Sequence, residues 1–173
     1  SLKDFFIQNF NAGPKKKDCI TTLNHAMKML YPDIKKLGSQ IDKTMMILKD
    51  KGYVENQIEI EFLSSSGKVT TGVAKPHTLS KSVWDTLHKM SGAEFGQFIF
   101  TLSVMDGYHS VTLILNKDKK GSVVFWCDQT KGCEKMAKND LDSYITTKTT
   151  LWWEGVLKKS GRKMKTRSTI WLL

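Results

Sequence analysis

The chain has 173 residues, of which 40% are hydrophobic and 25% charged, and a formal net charge of +10. That length and composition suit one soluble domain with its own core, and no apolar run approaches the roughly 20 residues needed to span a bilayer. Three cysteines, an odd and small number, argue against a disulfide framework. The positive charge favours an anionic partner such as nucleic acid, lipid head groups or the bacterial cell wall, although the lysines are scattered as on an ordinary solvated surface.

The first residues, Ser1 to Gln8, lack an initiator Met, and Asp4 speaks against a signal peptide. The chain is therefore expected to be a piece of a longer protein or a trimmed one. Asn11-Ala12-Gly13-Pro14 reads as a turn, and Asp18 as the N-cap of a helix carrying Ile20, Leu23, Met27 and Leu30. Pro32 lies just past its end. Gly38-Ser39 opens a second helix with Ile41, Met45 and Leu48 on one face, stopping near Gly52. Ile58, Ile60 and Phe62 alternate as in a half-buried strand, and Ser64 to Gly67 turns into a short strand over Lys68 to Val73. Ser80 or Ser82 caps a third helix with Val83, Trp84, Leu87 and Met90.

From Gln97 the period changes to two. Phe98, Phe100, Leu102 and Val104 share one face of a strand, and His109, Val111, Leu113 and Leu115 one face of the next. Lys117 to Gly121 reads as a hairpin loop, with Val123 to Cys127 returning. A helix from about Asn139 to Trp153, a basic loop and a last strand over Ser168 to Leu172 complete the chain. Helices followed by an antiparallel sheet predict one α+β domain spanning residues 1–173.

Cys19 follows the expected N-cap directly. Free amides and the helix dipole there favour a thiolate, while Asp18 opposes it weakly, and the amide of Cys19 can help to form an oxyanion hole. His109 begins a strand after a tight turn. A hairpin symmetric about Asp118 and Lys119 sets His109 opposite Asp128, with Cβ atoms roughly 4.5–5.5 Å apart. A three-residue loop sets Gln129 there instead. A nucleophilic thiol needs a base, and the base needs a partner that fixes its tautomer, so Cys19, His109 and Asp128 form the candidate constellation. Cys127 and Cys133 are compatible with a disulfide or with two buried thiols.

With these residues in place the chain resembles the papain-like cysteine peptidase superfamily, whose simplest members set Cys at a helix start and His on the following sheet. Met105 to Leu113, the segment Phe125-Trp126-Cys127-Asp128-Gln129, Trp152-Trp153 and Arg167-Ser168-Thr169-Ile170-Trp171 are similar to toxin domains of bacterial secretion-system effectors, including type VI effectors. The resemblance implies a papain-like fold, with N-terminal helices on a central antiparallel sheet, and a cysteine amidase or peptidase cutting peptidoglycan peptides in a rival's periplasm. It also implies an immunity protein, delivery through a longer parent chain, no cofactor and no resident metal. Related toxins deamidate or transglutaminate proteins instead. The oxyanion glutamine of papain precedes its Cys closely; here Gln8 is eleven positions upstream, and Gln129 is an alternative.

Three other readings compete. Cys19, His109, Cys127 and Cys133 could hold zinc, but without Cys-x-x-Cys or His-x-x-x-His spacing. Trp126, Trp152, Trp153 and Trp171 could stack on nucleic-acid bases, but no recognition motif accompanies them. A catalytically silent adaptor is the third.

Overall fold

A computed structural model of the chain describes residues 7–8, 18–63, 68–70, 83–92, 95–104, 109–128, 132–141, 143–144 and 165–173. Its helices are α1 (Cys19–Leu30), α2 (Ile41–Asp50) and α3 (Val83–Met90). Its strands are β1 (Asn56–Leu63), β2 (Lys68–Thr70), β3 (Gly96–Val104), β4 (His109–Asp118), β5 (Gly121–Asp128), β6 (Gly132–Met136) and β7 (Lys165–Leu172). They form one open antiparallel sheet in the order β2-β1-β7-β3-β4-β5-β6.

The first helix forms as its sequence dictates. Asp18 is extended (φ −153°) and accepts the Thr21 N–H at 2.8 Å, satisfying a donor the helix cannot. Leu23, Ala26 and Met27 are then buried on one stripe. A hydroxyl–amide cluster ties α1 to α2. Thr44 Oγ1 donates to Asn24 Oδ1 (2.8 Å), and Asn24 Nδ2 donates to the Gly38 carbonyl (3.0 Å). The Gly38 N–H donates to Thr44 Oγ1 (3.1 Å). Ser39 does not cap α2; Gln40 occupies the N-cap without a side-chain bond.

The sheet is apolar on both faces in its centre. Phe100, Leu102, Val111, Leu113, Leu115, Val124 and Trp126 face one cluster with α3 and Leu141. Ile99, Ile114, Cys127 and Trp171 face a second with α1 and α2. The alternating strands therefore bury their intervening residues too: the N-terminal helices α1 and α2 cover one face of the sheet and α3 the other.

Several boundaries move. Residues 138–141 and 143–144 are helical, where the sequence gives the start of a long helix; the rest of that helix, Gln129, Trp152-Trp153, the caps at Ser80 and Ser82 and the stretch Met105 to Tyr108 lie outside the described residues. β6 has no counterpart in the sequence reading. Lys117, read as loop, belongs to β4 and is buried. Its amine donates to the carbonyls of His88 (2.9 Å) and Gly92, and it lies 5.5 Å from the Phe98 ring centroid. Those carbonyls end α3, so the lysine serves the negative end of that helix. Among the described residues no helix is long and apolar enough to cross a membrane.

Candidate functional site

The β4–β5 hairpin fixes the geometry of two candidates. Its turn is Lys119-Lys120, tightened by the Lys120 N–H donating to Asp118 Oδ1 at 2.8 Å. Asp118 faces Gly121 and Asn116 faces Val123, so the register is two residues away from the one that opposes Asn116 to Gly121. Continued along the strands, that register sets Asp128 opposite Val111. His109 and Asp128 are therefore diagonal neighbours rather than a direct pair. A two-residue shift preserves the face, whereas a one-residue shift would have separated them. Diagonal Cα atoms lie about 7–8 Å apart, within reach of an imidazole and a carboxylate.

Asp128 is buried, at 5% exposure, and its Oδ2 accepts the Trp126 indole N–H at 3.0 Å. Trp126 is fully buried and meets Tyr144 edge-on, with ring centroids 5.1 Å apart. Burial pushes the His109 imidazole below its ordinary pKa, and the Asp128 charge partly offsets this. Burial also pushes the Tyr144 phenol up, helped by the negative charges of Asp128 and Glu134.

Cys19 is half-buried at the head of α1, beside the opening of β4. Burial raises its thiol pKa above the ordinary value, and Asp18 adds to the rise; the backbone N–H groups of Ser110, Cys19 and Ile20 act on the sulfur in the opposite sense. The net direction corrects the expectation of a thiolate favoured by the helix start. Desolvation, with the Asp18 charge, outweighs the amides.

The sulfur thus lies against the peptide that joins His109 to Ser110. Alternation adds a second fact. His109 shares its face of β4 with Val111, Leu113 and Leu115, whereas Ser110, Thr112 and Ile114 face the α1 side. Thiol and imidazole therefore approach one strand end from its two sides, separated by the first peptide of β4. Asp128 sides with His109, and Cys127 with Cys19.

Cys127 and Cys133 oppose each other on β5 and β6 and are joined in a disulfide, and Cys19 is the cysteine outside it. Among the described residues no group of three or more His, Cys, Asp or Glu side chains is placed to hold a metal ion. Gln8 is helical and exposed. A shallow cleft of about 670 Å³ is lined by Trp84, Asp85, His88, Lys89, Gly92 and Lys138. It adjoins the Lys117 end of β4, eight residues or roughly 26 Å from His109, and is separate from the constellation.

Trp126 and Ser110 are the contributors that residue-type reasoning passes over. The first was detectable: Trp126 and Asp128, two apart on a strand, must share a face. The second acts through its backbone, which side-chain identity does not reveal. Comparison with family models, curated proteins and solved structures finds no match for this chain.

Proposed function

We propose that the chain is a thiol hydrolase in which Cys19 attacks an amide carbonyl, with His109 as base and Asp128 as the group that orients it. One observation carries this reading: the Cys19 sulfur receives the Ser110 amide, so the thiol outside the disulfide lies one peptide from the imidazole that shares a face with a buried carboxylate. The papain-like arrangement and the secretion-effector resemblance belong to the same proposal. So do a peptidoglycan or acidic-peptide substrate, favoured by the +10 charge, and action in the periplasm with an immunity partner.

The electrostatics favour one version of the mechanism. Burial raises the thiol pKa and lowers that of the imidazole, so the resting pair is neutral rather than a thiolate–imidazolium ion pair. His109 then takes the thiol proton as the sulfur attacks, and returns it to the leaving amine. Water releases the acyl group from the thioester. In this mechanism the Cys19 N–H, at the helix start, turns to the developing oxyanion. For direct transfer the imidazole must come round the first peptide of β4, which takes a backbone rotation at His109, the first residue of the strand, as well as a new χ1 rotamer, because χ1 alone leaves Cβ on its own face.

Incubation with purified peptidoglycan, followed by mass analysis of the fragments, tests the reading. Cleavage at an amide is expected, lost in Cys19→Ala and His109→Ala and reduced less in Asp128→Asn, with folding retained in all three. Cleavage that survives Cys19→Ala would end the thiol mechanism. No turnover of peptidoglycan or protein substrates would favour the silent adaptor, the reading to which the raised thiol pKa lends weight.

A further inference from the structure

Asp128 is the last residue of β5, and its ladder neighbour lies on an edge strand. The described β4–β5 register runs from Asp118–Gly121 to Thr112–Cys127, and the rung at Asp128 is made with Gly132 of β6. β6 has five residues and, among the described residues, pairs only with β5. Gly132 turns the chain back with φ +74°, a conformation that favours glycine. One rung inward, Cys127 faces Cys133, and the disulfide joins the two strands there. A short edge strand is the kind of element that opens locally before the sheet does, and this bond clamps it beside the orienting carboxylate.

We propose that the Cys127–Cys133 disulfide is a redox-operated latch: intact, it holds the β5–β6 end and keeps Asp128 beside His109; reduced, it lets that end open and loosens the pair. Both sulfurs lie with the α1-side cluster, and Asp128 projects from the other face, so the cysteines act through the backbone as positioning residues. Cys133 is half-buried and Cys127 buried, which makes Cys133 the accessible sulfur. A small dithiol attacks Cys133 and releases the Cys127 thiolate, which takes up a proton. The dithiol's second sulfur then displaces Cys133, so one S–S bond is lost, two S–H bonds form and the reductant leaves as a cyclic disulfide. The latch rests on the proposed role of the His109–Asp128 pair, and would keep the domain loosened in a reducing cytosol and set in an oxidising compartment.

The test uses the full 173-residue chain, oxidised or reduced with dithiothreitol, with the thiol count checked by mass spectrometry. Amide hydrogen exchange and the NMR titration of the His109 ring are the readouts. Reduction is expected to speed exchange over Asp128 and Gly132–Met136 by ~10-fold or more while the β3–β4 amides keep their protection. His109 is expected to titrate at lower pH, because the carboxylate that favours its charged form moves away. A Cys127→Ala/Cys133→Ala chain should behave as the reduced protein does, and should not respond to dithiothreitol. Unchanged exchange and unchanged His109 titration in fully reduced protein would overturn the latch. Loss of the whole sheet on reduction would also overturn it, since the bond would then be a general staple. Neither readout uses a substrate, so failure of the latch and failure of the hydrolase reading are told apart.

Discussion

At the scale of single residues, burial decides what the candidate groups can do. Cys19 sits where a helix dipole and three amides favour a thiolate, yet its removal from water raises the pKa. Its alkylation by iodoacetamide, followed by mass spectrometry across pH, should therefore reach half its maximal rate above the ordinary thiol range; a midpoint near neutrality would show that the amides win. Trp126 makes the complementary case. Its indole is a donor committed to the buried Asp128 carboxylate, and Trp126→Phe keeps most of the ring while leaving that carboxylate short of a partner. The expected loss is about 1–3 kcal/mol of stability in urea unfolding. A Trp126→Phe change that costs no more in the native chain than in an Asp128→Leu background would show the bond to be inconsequential.

Elements were legible where the signal is local. Asp18 before an apolar stripe forecasts both the start of α1 and its cap, and the side-chain bond to Thr21 follows from that placement. Period two gave β3, β4 and β5 to within a residue or two. It did not give β6, whose five residues lack alternation, nor the place of Lys117, whose charge reads as loop although the α3 carbonyls satisfy it. The hairpin register failed by two residues because turn length, not strand pattern, sets it. The α1–α2 connection shows another non-local demand. A Cβ at Gly38 would stand 2.6 Å from Lys43 Cβ and 2.7 Å from the Thr44 amide nitrogen, in the middle of the Asn24–Thr44 cluster. Gly38→Ala is expected to cost about 1–3 kcal/mol in denaturant unfolding, with α2 shifted from α1. An unchanged midpoint would mean that the loop gives way without loss.

For the molecule as a whole, strand order was beyond the sequence. The last strand, β7, inserts between β1 and β3, a pairing across more than a hundred residues that no local pattern encodes. The same architecture covers both sheet faces with helices, and so buries histidines at both ends of the hairpin. His109 is depressed by burial, with Asp128 opposing; His88 is depressed by burial and by the Lys117 and Lys138 charges, with Asp85 opposing. Each imidazole has an ordinary value of 6.5 when unfolded and a lower one when folded, so below pH 6.5 the unfolded chain binds more protons. Stability is then fully present above about pH 6.5 and falls as the pH drops from there to the folded values, below which this contribution levels off. Melting temperatures recorded from pH 7.5 downward should decline through that window, and His88→Gln and His109→Gln should each flatten part of the decline. A melting temperature that holds steady or rises as the pH falls below 6.5 would mean that the folded protein welcomes the protons, and that neither ring is held neutral by the core.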